Sequence, residues 1–213
     1  MSVLTVEHVS HGFGARTIFE DASFRLLRGE HVALVGANGE GKSTFLAIIT
    51  GQLTPDEGKV EWARRVTVGY LDQHAVLKPG MTIREVLRTA FDAMYQLEKE
   101  MLACYDKMET ASPEESERLM NDAGEIQSIL DANSFYDIDT RIDTVAGGLG
   151  LADIGLERPV DELSGGQRTK VLLTKLLLQN PMILILDEPT NHLDAPHIEW
   201  LKSYLTSYEN AFI

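Results

Sequence analysis

The sequence predicts an α/β fold with a mainly parallel sheet core, a small antiparallel β region and an inserted helical hairpin. Three observations support this prediction. A glycine-rich loop at residues 36–44 separates an apolar run typical of a strand from one typical of a helix. The apolar run at residues 182–186 is typical of a fully buried parallel strand. Apolar residues at alternating spacings of four and three from residue 83 to 108 indicate a helix with a heptad seam.

Composition limits the classes of protein to be considered. The 213 residues suit one large domain, or one domain with an insertion, and the 44% hydrophobic content allows a sizeable core. The net charge of −14 argues against generic electrostatic binding to nucleic acid, because such proteins normally carry basic surfaces. The one cysteine, Cys104, excludes an internal disulfide. The sequence has neither a signal peptide nor an apolar run of roughly 20 residues, so we expect a soluble, cytoplasmic protein.

Two strands are predicted before the glycine-rich loop, at residues 3–9 and 18–27. Between them, Phe13 is flanked by Gly12 and Gly14 in a predicted turn. From the local sequence alone, Phe13 suits either of two roles: a buried loop aromatic, or a ring that stacks on adenine.

The glycine-rich loop fits the phosphate-binding pattern G-x-x-x-x-G-K-[ST]. We expect a short buried strand at residues 31–35 before it and a helix at residues 45–49 after it. Its glycines, Gly36, Gly39 and Gly41, allow the backbone to turn its N–H groups inward, beside the positive end of the helix. Lys42 is long enough to reach terminal phosphates, the Ser43 hydroxyl can bind Mg²⁺, and Thr44 can bond a further phosphate oxygen.

A turn at residues 54–58 is followed by two predicted strands, the first including Val60 and Trp62 and the second spanning residues 66–71. The second strand leads to Gln73. A glutamine amide can accept a hydrogen bond from water and can also coordinate Mg²⁺.

The heptad-spaced segment predicts a helical hairpin inserted at residues 82–133. Thr82 and Glu85 form a capping box at the start of a helix about 40 Å long. Ser112 and Pro113 begin the second helix as N-cap and first helical residue. The alternative is an ordinary helical subdomain packed on the sheet. The hairpin carries few basic residues among many acidic ones.

Residues 163–167 predict a second anion-binding helix end. Ser164 is a natural N-cap, and Gly165, Gly166 and Gln167 follow it at the start of an amphipathic helix. The helix ends at residues 36–44 and 163–167 cannot easily both contact one nucleotide within a single chain. Two nucleotide-binding domains packed head to tail would solve this problem.

Two carboxylates follow the buried strand at residues 182–186. In a chain with a phosphate loop, Asp187 is expected to hold Mg²⁺, directly or through water. Glu188 is expected to orient or deprotonate an attacking water.

These motifs, in this order, resemble an ABC-type ATPase domain: Walker A at residues 36–44, the Q-loop at Gln73, the signature at residues 163–167 and Walker B at residues 183–189. The resemblance covers essentially the whole chain and implies that Phe13 stacks on adenine. It implies ATP and Mg²⁺ as ligands. The implied ATP-binding residues are Phe13, Gly36, Ala37, Asn38, Gly39, Glu40, Gly41, Lys42, Ser43 and Thr44. The implied Mg²⁺ ligands are Ser43, Gln73 and Asp187, the implied catalytic residues are Glu188 and Gln73, and the implied signature residues are Ser164, Gly165, Gly166 and Gln167.

The sequence from Asp187 to Asp194, followed by Trp200 and Leu201, closely resembles the same region of ABC-F proteins. The hairpin also lies where ABC-F proteins have their inserted arm. ABC-F proteins carry two ATPase domains on one chain and no transmembrane part. They act on ribosomes, assisting translation or displacing antibiotics. The resemblance implies that residues 1–213 are the first of two ATPase domains.

The chain departs from the family in two respects. Its hairpin is acidic, whereas an arm that meets rRNA or tRNA should carry basic residues, and the family's switch histidine is absent from residues 1–213. We therefore expect a fragment that hydrolyses ATP poorly on its own and needs a second ABC domain. Two alternatives are the ATPase subunit of an ABC membrane transporter and a non-catalytic protein that uses ATP only as a clamp. The heptad hairpin argues against the first, and an intact Glu188 argues against the second for the full-length protein.

Overall fold

A computed structural model describes residues 2–71 and 77–213. The chain divides into two compact units, one formed by Met1–Ala75 with Gln179–Ile213 and the other by Val76–Leu178. None of the helices in the described residues is both long and apolar enough to cross a membrane.

The first unit contains two sheets. Strands β1 (Ser2–Phe13), β2 (Arg16–Leu27) and β3 (Glu57–Trp62) form an antiparallel sheet in the order β2-β1-β3. Strands β4 (Val68–Tyr70), β5 (Ile183–Ile185) and β6 (Ala211–Phe212) form a parallel sheet in the order β4-β5-β6. The helices of this unit are α1 (Lys42–Ile49) and α7 (Ala195–Thr206). The predicted buried parallel strand is confirmed, because all three residues of β5 are fully buried.

One apolar core joins α1 to both sheets of this unit. Strand β1 contributes Val3, Leu4, Val6 and Val9 to this core without strict alternation, and its pairing with β2 shifts register between Val6 and Val9. Trp62 of β3 donates its indole N–H to the carbonyl of Ile49 at 2.8 Å. Each fully buried aliphatic side chain contributes about 1.5–3 kcal/mol. The core residues are Val3, Leu4, Val6, Val9, Leu26, Leu46, Ile48, Ile49, Ile183, Ile185, Ala211 and Ile213.

The strand predicted at residues 31–35 is wrong. Only His31 forms a bridge, to Phe212, and the Val32 N–H donates to the Phe212 carbonyl at 3.0 Å. Strand β6 spans only two residues, so within the described residues nothing continues this ladder beside residues 33–35. Val35 is 89% exposed.

Tyr208 holds the start of β5 in place. Its buried hydroxyl donates to the carbonyl of Pro181 at 2.7 Å. Burial raises the pKa of Tyr208 well above its usual value, so the hydroxyl remains a donor at all ordinary pH values.

Replacing Tyr208 by Phe is therefore expected to lower the free energy of unfolding by about 1–2 kcal/mol, because the Pro181 carbonyl loses its donor. Chemical denaturation monitored by circular dichroism measures this change. Tyr105→Phe is the matched control, since Tyr105 is 45% exposed and its hydroxyl can be solvated in either state. Equal stability of the two variants would contradict the role given to Tyr208.

The second unit is helical. Its helices are α2 (Ile83–Arg88), α3 (Asp92–Met108), α4 (Pro113–Ala132), α5 (Ile138–Gly148) and α6 (Gly165–Gln179). Helices α3 and α4 pack against each other as a hairpin. Both predicted caps are present: Thr82 and Glu85 form a capping box, and the Ser112 hydroxyl accepts the Glu115 N–H at 3.3 Å.

The single helix predicted from residue 83 to 108 is wrong, because it is interrupted by a 3₁₀ turn at Thr89–Phe91. The two parts pack against different neighbours, α2 against α5 and α3 against α4. Arg88 pairs with Asp139 at 2.8 Å, and the guanidinium of Arg141 lies 4.9 Å from the centre of the Phe91 ring. These contacts hold α2 and the 3₁₀ turn against α5. The hairpin therefore consists of α3 and α4 alone.

Candidate functional site

The phosphate loop leads directly into helix α1. Gly41 is the N-cap residue, with a left-handed φ of 92°, and it provides no side-chain cap. The first intrahelical bond runs from the Phe45 N–H to the Gly41 carbonyl at 2.8 Å. The preceding N–H groups, those of Lys42, Ser43 and Thr44, have no acceptor in their own helix and lie at its positive end. This is the backbone arrangement that binds phosphate.

Lys42 lies across the loop that precedes it. Its ammonium donates to the carbonyls of Gly36 and Ala37 at 2.9 and 3.0 Å. An ammonium has three donors, so one remains for an anion in the loop. The two carbonyl contacts therefore hold the charge of Lys42 beside the N-terminus of α1.

Two further charged side chains adjoin this loop. The Glu40 carboxylate accepts the Ala37 N–H at 2.7 Å, which ties the loop to itself. Arg16 donates from Nη2 to the carbonyl of Gly39 at 3.0 Å. Sequence reasoning missed Arg16, because a single basic residue at the start of a strand carries no pattern of its own.

Phe13 lies at the same cavity as the phosphate loop. Its side chain is 56% exposed, so the alternative of a buried loop aromatic is wrong. The cavity has a volume of about 320 Å³. It is lined by Phe13, Arg16, Ile18, Asn38, Gly39, Gly41, Lys42, Ser43, Thr44 and Glu188.

Glu188 reaches this cavity from the carboxyl end of β5. It has a φ of 44°, which is a strained conformation for a residue with a side chain. Its Oε2 accepts a hydrogen bond from Asn191 Nδ2 at 2.8 Å. Asn191 therefore holds the carboxylate in position, a role that sequence reasoning did not assign to it.

Asp187 lines a neighbouring cavity of about 310 Å³, which also includes Lys42 and Glu188. The two cavities therefore meet at Lys42 and Glu188. Both candidate carboxylates and the phosphate loop lie within this one region of the first unit.

The side chains expected to hold Mg²⁺ are an oxygen donor set, as this ion prefers. Ser43 lines the cavity with the phosphate loop, and Asp187 follows β5. Gln73, the third expected ligand, lies outside the described residues. In the described part of the chain, no group of three His, Cys, Asp or Glu side chains is arranged to hold a metal. A site made of Ser43, Asp187 and phosphate oxygens needs no such group.

The expected signature residues lie in the second unit, at the start of α6. The Ser164 hydroxyl accepts the Gln167 N–H at 3.3 Å, and the Gln167 side-chain oxygen accepts the Ser164 N–H at 2.9 Å. Ser164 is thus the predicted N-cap, within a reciprocal capping box. Gly165 and Gly166 begin the helix itself.

A phosphate loop, an exposed aromatic ring and a carboxylate from a strand end, all at one cavity, define a P-loop nucleotide-binding domain. A profile of the ABC transporter family matches residues 19–191. The chain belongs to this family and is one of its ATPase domains.

Some relatives of the chain have names that refer to transport, and others have names that refer to translation. The chain is 63% identical over 213 residues to the "Uncharacterized ABC transporter ATP-binding protein YfmM" of Bacillus subtilis, covering 100% of this chain and 41% of YfmM. It is 33% identical over 211 residues to the "Energy-dependent translational throttle protein EttA" of Mycobacterium tuberculosis (strain H37Rv), covering 99% of this chain and 37% of EttA. The chain thus spans less than half the length of these relatives.

The fold has solved relatives as well. A structure described as the ATP-binding subunit of an ABC transporter is similar with a TM-score of 0.64 and 25% identity, covering 99% of this chain and 78% of that chain. The fold class predicted from sequence, an ABC-type P-loop fold, is confirmed by this match.

Proposed function

We propose that this chain binds and hydrolyses ATP as one of two ATPase domains of a longer ABC-F protein. The observation that carries the proposal is the single cavity at which Phe13, the phosphate loop and Glu188 meet. Its volume of about 320 Å³ lies within the range of small-molecule sites.

Each group at the cavity has a role in this proposal. Phe13 stacks on the adenine ring, and the N–H groups at the start of α1 hold the phosphates. Lys42 neutralises charge on the terminal phosphates. Bound Mg²⁺, held by Ser43 and Asp187, would supply further charge neutralisation. Glu188, fixed by Asn191, orients and deprotonates the attacking water.

The start of α6 is proposed to act on a second nucleotide. The Gly165 and Gly166 N–H groups lie at the positive end of a fifteen-residue helix, where an anion is favoured. We propose that residues 164–167 cover the ATP of the second ATPase domain, and that the second domain does the same for this one. Closure of the two domains would complete both sites.

The proposed partner of the whole protein is the ribosome. The translation-related name of EttA supports this proposal, as do the residues from Asp187 to Asp194 and the hairpin of α3 and α4. Residues 92–132 contain eleven acidic and three basic residues, so we expect the hairpin to contact basic protein surfaces rather than RNA phosphates. Such a partner requires a cytoplasmic location.

A second candidate is the ATPase subunit of a membrane transporter, which the name of YfmM favours. Sedimentation with ribosomes separates the two candidates. In the longer protein, Glu188→Gln and the equivalent change in the second domain should prevent ATP hydrolysis, and we expect this variant to co-sediment with ribosomes only when ATP is present. The expected control is the same variant with Lys42→Ala, which should remain in the supernatant.

Failure of the first variant to co-sediment while it still binds ATP would contradict the ribosomal role and leave the ATPase proposal unchanged. Co-purification with a membrane protein would then support the transporter candidate. If the ribosomal role holds, protection of translation from antibiotics in a cell-free assay would distinguish a resistance factor from a translation factor.

A further inference from the structure

His11 is a buried polar side chain close to the proposed ATP site. It is 6% exposed, and among the described residues neither of its ring nitrogens has a partner with hydrogen-bond geometry. Asp56 Oδ2 lies 3.3 Å from Nδ1. Burying an imidazole in this way opposes folding, so a role beyond filling space is expected.

The His11 ring packs directly against Phe13. The two ring centres are 4.9 Å apart and the ring planes are perpendicular, which is a favourable edge-to-face arrangement. The centres of the His11 and Phe19 rings are 6.4 Å apart. More than half of the Phe13 side chain is exposed, and the His11 ring is an aromatic ring of the protein that packs against it.

Asp56 fixes the backbone between these two rings. Its Oδ2, the same atom that faces His11, accepts the Gly12 N–H at 2.9 Å. The Asp56 N–H donates to the Ser10 carbonyl at 3.0 Å. Asp56 lies between α1 and β3, so the segment that follows the phosphate-loop helix also holds the end of β1.

We propose that His11 and Asp56 are positioning residues for base recognition: they hold the Phe13 ring in the orientation that stacks on the base of the nucleotide. Asp56 fixes the Gly12 backbone between the two rings, and the His11 ring in turn limits rotation of Phe13. The assignment rests on the proposed ATP site and adds to it the residues that orient its aromatic ring.

A double-mutant cycle with two ligands tests this assignment. The affinity of the chain for ATP and for inorganic tripolyphosphate is measured by calorimetry for the unchanged chain, His11→Ala, Phe13→Ala and the double variant. Phe13→Ala is expected to weaken ATP binding about 5- to 150-fold, the range of base–aromatic stacking, and to leave tripolyphosphate binding unchanged. His11→Ala is expected to weaken ATP binding about fivefold, again without effect on tripolyphosphate, and the double variant should equal Phe13→Ala.

Matched variants keep the test decisive if His11→Ala folds poorly. His11→Phe retains a ring beside Phe13 and should restore ATP affinity, whereas Asp56→Ala should reduce it and Asp56→Asn, which keeps an acceptor for Gly12, should not. His8→Ala is the control on the same strand, because the His8 side chain is 79% exposed and pairs with Asp21.

The outcomes separate the two proposals. Equal loss of ATP and tripolyphosphate binding in His11→Ala, or additive effects of His11→Ala and Phe13→Ala, would overturn the positioning role while leaving the ATP site in place. Absence of ATP binding in the unchanged, folded chain would overturn the proposed function and this assignment with it.

Discussion

Replacing Glu188 by Gln in the longer protein, together with the equivalent residue of its second domain, is expected to lower ATP turnover by at least about 100-fold. ATP binding should be retained. Glutamine has the shape of glutamate and can still accept the hydrogen bond that Asn191 donates at 2.8 Å. A neutral amide does not accept a proton from water at ordinary pH, so only the chemical step is lost.

Steady-state phosphate release and retention of labelled ATP on the protein together measure this effect. We expect slow release and stable retention, because the two proposed domains should stay closed over unhydrolysed ATP. Glu199→Gln is the matched control: Glu199 lies on α7, is 72% exposed and pairs with Lys202. Turnover of the Glu188 variant equal to that of the control would disprove the catalytic role of Glu188.

Replacing Gly41 by Ala is expected to weaken ATP binding strongly. Gly41 has a φ of 92°, and a Cβ at this position would overlap the Ile18 side chain. The backbone strain and the overlap with Ile18 both arise at the N-cap residue of α1. The loop must therefore move away from the helix end that is proposed to hold the phosphates. We expect a loss of affinity of at least about 100-fold, because losing two hydrogen bonds to phosphate, each worth about 1.5–3 kcal/mol, is enough to produce it.

Gly39→Ala is the graded control for this change. Gly39 also has a positive φ, of 85°, but its Cβ would meet nothing within 4 Å. Strain without overlap should reduce ATP affinity measurably and by less than Gly41→Ala. Titration of each variant with a fluorescent ATP analogue gives the two affinities. Gly41→Ala binding as tightly as Gly39→Ala would show that the contact with Ile18 does not shape the loop.

The features predicted correctly from sequence are those whose cause is local. A buried strand is recognised by its run of apolar residues, as at β5, and a helix start by its capping residues, as at Ser112 and Ser164. The phosphate loop belongs to the same class, because its glycines, lysine and hydroxyls are consecutive in the chain. Each of these needs only a few neighbouring residues to be identified.

The errors have non-local causes. The heptad seam is continuous through residue 91, but α2 packs against α5, a helix that is far away in the sequence, and this contact ends the helix at Arg88. The strand predicted at residues 31–35 depends on partners in β6, which is only two residues long. Arg16 acts through Gly39, which is distant in the sequence and is brought to it by the fold. Asn191 and His11 lie within three residues of Glu188 and Phe13, and it is the orientation of their side chains that the sequence does not show. No spacing in the sequence marks them.

The pairing of β4 with β5 has a consequence for the order of events during synthesis. The whole of the second unit lies between these strands in the chain, yet Val68 is paired with Ile183. The helices of the second unit make mostly local contacts, which form fast. The parallel sheet must wait until residues beyond 183 have left the ribosome. Because Glu188 follows β5, this candidate catalytic carboxylate joins the phosphate loop only at this last stage, and a nascent chain shorter than this lacks the proposed site.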